Sequence, residues 1–538
     1  MDLIPYILFS AVLLLSVINV VMQLRRTTMM MQQNSYRISR YMGWLRTSGD
    51  TTSYAYLAAY CVFFASLASF SSQEWGAILT GVFAAGSWFW LARLRYKKPL
   101  VVTARVRRIF AAETILALLV MAGFQLAIPG EPTMLSRLFI GSVGLTAVYC
   151  ASHIVTIAAI WMLHPVERMI ANRYVADAAR ILRSMPQLKV IGITGSYGKT
   201  STKHFLHALL SEQYETLMTP GSYNTTMGVV RTVREMLKPY TEIFICEMGA
   251  KQPGDIREIC DLVHPSIGIL TAVGPQHLES FKTIERVGQT KYELIESLPS
   301  DGVAVVNCDF PYIAEHEVTS PKTFTYGIDN TSARYLAEDI AYSPCGTTFT
   351  LVDTLTGART NYTTKLLGKC NVSNLIACII TAHYLGVDQA KIQRALTRIE
   401  AVEHRLSTRR TPGGITILDD AFNSNPSGSE MALEVLGQMK SGRRIVVTPG
   451  MIELGDSQYS LNVQLGRYIA ANADIAVVVG QYNRAALLEG ISDYKETSGS
   501  DVEVIEAESF AQSQQLIAPR LRSGDVVLYE NDLPDTFK

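Results

Sequence analysis

The residues with the plainest chemical purpose stand together in Gly195-Ser196-Tyr197-Gly198-Lys199-Thr200-Ser201. Glycines let backbone N–H groups close around phosphate oxygens, and a helix opening just after them adds its partial positive charge. In that setting Lys199 would reach the β- and γ-phosphates of a nucleotide, and the Thr200 hydroxyl would sit on Mg²⁺. The spacing is a short form, because the longer pattern G-x-x-x-x-G-K-[ST] would need a glycine where Ile193 stands. Glu247 closes the apolar run Phe244-Ile-Cys-Glu247. A carboxylate at the C-terminal end of a buried strand faces the ligand crevice of an open α/β sheet. Beside a triphosphate it is a natural Mg²⁺ ligand. His277 follows a second apolar run, in Thr271-Ala-Val-Gly-Pro-Gln-His277. A lone histidine is usually a satisfied surface or core residue, but this one can point at the same crevice. Lys291, taken by type alone, reads as a solvated helix lysine.

The elements that must position these groups follow from the apolar pattern. Strand-like runs at 188–194, 243–247, 267–271 and 302–307 alternate with helical stretches such as 200–210, which predicts parallel α/β units. A β-rich segment at 323–366 and a long apolar helix at 372–385 complete this part. A second α/β unit is expected from about Leu406, with strands at 415–419, 444–448, 475–479 and 526–530.

The short loop opened by Thr194-Gly195 resembles that of the Mur ligase family, and the resemblance extends over residues 188–530. It implies that Glu247 and Thr200 hold one Mg²⁺. His277 and a carbamylated Lys291 would hold a second, the carbamate turning a cation into a carboxylate. Gly221-Ser-Tyr-Asn224-Thr225 looks like the family's acceptor-facing loop. Gly368-Lys-Cys370-Asn371-Val-Ser-Asn374 is similar to the G-x-H-N-x-x-N that lies against adenine, with Cys370 replacing the histidine. Arg405, in Glu403-His404-Arg405-Leu406, matches the arginine that contacts ATP phosphates, as its charged planar fork suits. Asp419-Asp420-Ala-Phe-Asn423-Ser-Asn425-Pro426 resembles the run found in the branch that adds D-alanyl-D-alanine to a peptidoglycan precursor. There Asp420 would touch the ribose or orient the arginine, and Asn423 and Asn425 would serve the substrate. Gly450-Met-Ile-Glu-Leu-Gly455 fits the same branch.

Two departures stand out. Roughly 25 residues separate the apolar region from the phosphate loop, too few for a domain. The family's UDP-binding unit is therefore expected to be replaced by that region. The family's C-terminal Lys-Gly-Ser is replaced by Leu528-Tyr-Glu530-Asn-Asp-Leu-Pro534, which should change the group recognised near the incoming amine.

The N-terminal 163 residues carry five apolar runs, at 3–24, 54–71, 76–92, 110–128 and 138–163. Each approaches or exceeds the ~17–20 residues that a spanning helix needs. Twelve basic residues, from Arg25 to Arg46 and from Arg93 to Arg108, fall in two alternate loops. The positive-inside bias then puts the N-terminus outside and the rest in the cytoplasm. The spans are expected to lack an acid, lysine or histidine that would mark an ion path. The first run is too long, and preceded by Asp2, for a signal peptide. Trp75, Trp88, Trp90 and Trp161 fall near predicted helix ends, as interfacial aromatics do.

The 538 residues imply several domains. Zero formal net charge and no basic tail argue against a nucleic-acid partner. Eight scattered cysteines form no C-x-x-C pair, so they read as small apolar residues. The expected architecture is α/β: a transmembrane helical domain at 1–165, a P-loop Mur-ligase central domain at 166–406, and a Rossmann-like C-terminal domain at 407–538. The resemblance implies an ATP- and Mg²⁺-dependent ligase acting through an acyl phosphate. It would join D-alanyl-D-alanine or a related amine to a cell-wall precursor, nucleotide- or lipid-linked, with membrane lipid around its helices. The alternatives are a glutamate-chain ligase of the folylpolyglutamate kind and a membrane NTPase or transporter.

Overall fold

The computed structural model describes residues 3–94, 96, 98–127, 132–275, 281–316, 322–343, 346–402, 406–421 and 425–531, with side chains at 70, 342, 343 and 427 left aside. The chain divides into two compact units, Met1–Asn172 and Arg173–Leu533.

The first unit is helical. Its helices are α1 (Ile4–Gln33), α2 (Ile38–Ser48), α3 (Tyr54–Ala68), α4 (Gln73–Arg93), α5 (Ala104–Leu126), α6 (Met134–Cys150) and α7 (Ser152–Arg183). Among the described residues, α1, α4, α5 and α7 are long and apolar enough to cross a membrane, while α3 and α6 are shorter. The outward faces of these helices expose Leu14, Val17, Val21, Val82, Leu118 and Leu119.

Three expectations need correction here. The first helix does not stop at residue 24 but runs on through Arg25 and Arg26 to Gln33, since arginine is a good helix former. The run 138–163 is interrupted at Ala151, which has φ −92° and ψ 9°. The interruption does not reverse the chain. Leu13 approaches Gly141, Gln23 bonds Ser152 and Thr27 bonds Thr156, so α6 and α7 climb α1 in one direction. The spans also carry ionisable groups. Glu113 on α5 accepts from Thr28 and Thr156 at 2.8 and 2.7 Å. His153 on α7 lies 3.0 Å from Asp50 and 2.7 Å from the Tyr41 hydroxyl. Asp50 is in turn held by both terminal nitrogens of Arg26. Buried charges persist only when paired and hydrogen-bonded in this way.

The second unit contains two sheets. The larger has nine strands in the order β2-β3-β1-β4-β5-β6-β7-β8-β9. These are β1 (Lys189–Thr194), β2 (Thr216–Met218), β3 (Ile243–Glu247), β4 (Ile267–Leu270), β5 (Val303–Asn307), β6 (Lys322–Gly327), β7 (Tyr335–Ser343), β8 (Gly346–Asp353) and β9 (Ala358–Thr364). The pairings from β2 to β7 are parallel, and β8 and β9 extend the sheet antiparallel. The parallel strands are apolar on both faces because separate cores cover each side. Strand β1 lies between β3 and β4, so the chain leaves it first to one side and then to the other. Ligands of open α/β sheets bind at such a switch point.

The smaller sheet has six strands in the order β10-β11-β15-β12-β13-β14. They are β10 (Ser407–Arg410), β11 (Thr416–Asp420), β12 (Arg444–Thr448), β13 (Ile475–Val479), β14 (Glu503–Ala507) and β15 (Val526–Glu530). All pairings but β10 with β11 are parallel.

Candidate active site

Strand β1 delivers the chain into the loop Gly195–Gly198, and helix α8 (Lys199–Leu210) opens directly after it. The loop is glycine where nothing else fits. At Gly195, with φ +151°, a Cβ would come 2.1 Å from Thr271 Oγ1, and at Gly198, with φ +78°, it would come 2.3 Å from Asn374 Oδ1. The segment after β4 latches the loop from the far side. Ser196 N donates to Ala272 O at 2.8 Å, Ser196 Oγ to Gly274 O at 3.0 Å, and the Tyr197 hydroxyl to Pro275 O at 3.1 Å. Lys199 Nζ donates to the carbonyls of Gly195 and Ser196, at 2.5 and 3.2 Å. Ser201 lies largely buried in the first turn of α8.

At the C-terminal tip of β3, Glu247 is 1% exposed. Its Oε1 receives the Thr200 hydroxyl at 3.1 Å and the Asn224 amide at 3.3 Å. Its Oε2 receives no aligned hydrogen bond, and Lys203 Nζ stands 3.0 Å away as an ion-pair partner. A buried carboxylate oxygen short of donors, next to a threonine hydroxyl at the mouth of a phosphate loop, is a donor set that fits Mg²⁺.

Lys291 is 2% exposed. Burial, reinforced by the charge of Lys199, holds its amine well below the usual lysine range. It is not the solvated helix lysine that its residue type alone would suggest. Asn371 is buried and donates to Leu367 O at 2.9 Å, and Asn374 Oδ1 receives the Thr202 hydroxyl at 3.2 Å. Asp420 Oδ1 accepts from Leu406 N at 2.9 Å, next to the junction of the two sheets. The Asp420 carboxylate also lies near Cys370, whose thiol is pushed up to about 12, chiefly by burial.

The structure thus gathers Gly195, Ser196, Gly198, Lys199, Thr200, Asn224, Glu247 and Asn374 at one crevice. Thr225 and Asn425 cap helices: each accepts from the backbone N–H three residues on, opening helices Thr226–Met236 and Pro426–Gln438. His277, Arg405 and Asn423 lie outside the described residues. Two residues had no motif to announce them. Lys203 is fully buried although charged, its only sequence signal being its place one turn after Lys199. Asn307, at the end of β5, donates to Thr271 O and Ser373 Oγ, both at 3.0 Å.

Residues 193–382 match the Mur ligase middle domain, and residues 404–529 match the Mur ligase glutamate ligase domain. The UDP-N-acetylmuramoyl-tripeptide–D-alanyl-D-alanine ligase of Mycobacterium tuberculosis is 31% identical over 359 residues, covering 63% of this chain and 70% of its own length. The ligase of the same name from Bacillus subtilis is 31% identical over 283 residues, and the chain spans 60% of its length. Among solved structures, MurF from Thermotoga maritima in complex with ADP superposes with a TM-score of 0.60 at 25% identity, over 67% of this chain and 80% of that one. The chain belongs to the Mur ligase family.

Proposed function

We propose that this protein is an ATP-dependent carboxylate–amine ligase that adds D-alanyl-D-alanine or a related amine to a cell-wall peptide precursor. The observation that carries the reading is the meeting of Thr200 and the buried Glu247 carboxylate at the mouth of the phosphate loop. The names of the similar ligases support the substrate class. Bound ATP supplies the phosphoryl group that makes a substrate carboxylate open to attack by an amine, and Mg²⁺ offsets the phosphate charge.

The chain's own residues have distinct tasks. The loop amides and Lys199 hold the phosphates and stabilise the negative charge that spreads over the transferred group. Lys199 exchanges its bonds to the Gly195 and Ser196 carbonyls for phosphate oxygens. Thr200 and Glu247 would hold one Mg²⁺, and a carbamylated Lys291 with His277 would hold a second. Arg405 would add charge stabilisation from the domain junction. Asn371 and Asn374 would line the nucleotide side, with Asp420 set against the ribose. Asn224 would present the acceptor, and Asn423 the amine. No side chain need act as a covalent nucleophile.

The helical unit is read as a membrane domain, with the N-terminus outside and both sheets in the cytoplasm. The clustering of basic residues in alternate loops supports this orientation. The acceptor is proposed to be lipid-linked, because the apolar helices lead directly into the ATP-binding domain: α7 ends at Arg183 and β1 begins at Lys189.

Incubating the purified full chain with ATP, D-alanyl-D-alanine and the tripeptide in UDP-linked or lipid-linked form tests both levels. A product heavier by one dipeptide residue, with ADP released, is expected. ATP hydrolysis without a mass gain would sink the ligase reading, and equal use of both acceptors would sink the lipid-linked one.

A further inference from the structure

Lys203 has no exposed side-chain surface and stands between two parts of the site. Its Nζ lies 3.0 Å from Glu247 Oε2 and donates to the carbonyl of Gly221 at 2.5 Å. Gly221 belongs to the loop that carries Asn224. The same loop returns to Glu247 by a second route, since Asn224 Nδ2 donates to Glu247 Oε1 at 3.3 Å. It is fastened beyond the strand as well: Gly249 N donates to Asn224 O at 2.7 Å, and a Cβ on Gly249 would come 2.7 Å from the Asn224 side chain. Upstream of the loop, Thr219 Oγ1 accepts from Glu247 N at 3.1 Å. The carboxylate and the loop are therefore one hydrogen-bonded assembly, and Lys203 is the only cation that touches both among the described residues.

We propose that Lys203 is a positioning residue that couples the 219–225 loop to the metal-binding carboxylate. The inference rests on Glu247 as a Mg²⁺ ligand and on the loop as the acceptor-facing part. Two cations cannot share Glu247 Oε2 without repelling each other. A metal taken up there weakens the hold of Lys203 on Glu247 and leaves its ammonium to the Gly221 carbonyl. Metal occupancy is thereby reported to the loop. The coupling is reciprocal, so an ordered loop also shifts metal affinity.

The arrangement has a signature that simple structural support lacks. Removing the charge takes away a competitor for Glu247, so Mg²⁺ should bind more tightly. Removing the donor frees the Gly221 carbonyl, so the acceptor should bind more weakly. Full-length protein would be prepared as wild type, Lys203→Met and Lys203→Gln. Mg²⁺ half-saturation of ADP binding would be read by calorimetry, and acceptor KM by turnover. Lys203→Met should tighten Mg²⁺ and raise the acceptor KM, each by at least roughly fivefold, the lower end of usual coupling between linked sites. Lys203→Gln keeps a donor for Gly221 without the charge, so it should tighten Mg²⁺ with little change in acceptor KM. Both constants weakening together, or neither moving, would overturn the proposal. Should neither variant fold, hydrogen exchange of the wild type decides. Amides in 221–225 should respond to ADP with Mg²⁺ but not to ADP alone, and an equal response to both overturns the coupling. Wild-type ADP binding that is indifferent to Mg²⁺ would instead remove the metal role of Glu247.

Discussion

Gly198 and Asn374 are in such close contact that a β-carbon on the glycine would stand 2.3 Å from the asparagine oxygen. The phosphate loop is thus fitted against the helix Lys369–Tyr384, which carries Asn371 and Asn374. Gly198→Ala meets this clash and a φ of +78° together. Affinity for ADP should fall roughly 5- to 150-fold, given the ~1–3 kcal/mol that such backbone strain costs. Calorimetry with ADP checks it, and unchanged affinity would show that the loop can relax.

Lys199→Ala should behave differently. Its side chain is half-buried and donates to two loop carbonyls, those of Gly195 and Ser196. The melting temperature should change little, while turnover should fall about 10²–10³-fold, as when a preorganised charge-stabilising group is removed. A large drop in melting temperature would mark Lys199 as a structural clamp.

Lys291 allows a pH prediction with a defined sign. Its folded-state amine titrates well below the usual lysine value because it is buried. Between that lowered value and the ordinary one near 10.5, the unfolded chain holds a proton that the folded chain does not. Stability therefore rises with pH across this window. In carbon-dioxide-free buffer the wild type should gain stability from pH 7 to 9 relative to Lys291→Met. A neutral amine is also the form that reacts with carbon dioxide. Added bicarbonate should raise wild-type activity and leave Lys291→Met inactive, and indifference to bicarbonate would count against the carbamate.

Asn307→Leu removes two bonds that tie β5 to Thr271 and Ser373. Leaving a buried carbonyl unmet costs about 1–3 kcal/mol. Chemical denaturation of the full chain should show that loss, with ADP binding weakened because Thr271 braces the phosphate loop.

In the helical unit, Asp50→Ala would leave Arg26 and His153 without their shared acceptor. Breaking one side of a buried pair costs about 3–5 kcal/mol. The detergent-solubilised protein should aggregate at a lower temperature than Arg26→Met/Asp50→Leu, which removes both charges.

Much of the fold was legible from the sequence for a physical reason. Runs such as Ile243–Glu247 and Ile475–Val479 are apolar on both faces, as parallel strands buried on both sides are. The phosphate loop was legible because its glycines answer to contacts no other residue could make. Lys203 and Asn307 were not legible, since their partners lie far away in sequence and polar residues inside a core carry no periodic signal. The same holds for Glu113 and His153, hidden in apolar runs until their threonine, tyrosine and aspartate partners are seen. The length of α1 was misjudged because arginines do not end a helix. The capping duties of Thr225 and Asn425 were obscured by the motifs that contain them.

The order of the smaller sheet has a consequence for how the protein is made. Strand β15, the last of its strands in sequence, lies between β11 and β12 rather than at an edge. During synthesis the larger sheet can close long before the ribosome reaches residue 526. The smaller one must wait with its central slot empty and two apolar strand edges facing water. A chain stopped ahead of Val526 would carry a finished nucleotide-binding domain beside one that cannot close, and quality-control proteases would meet that half first.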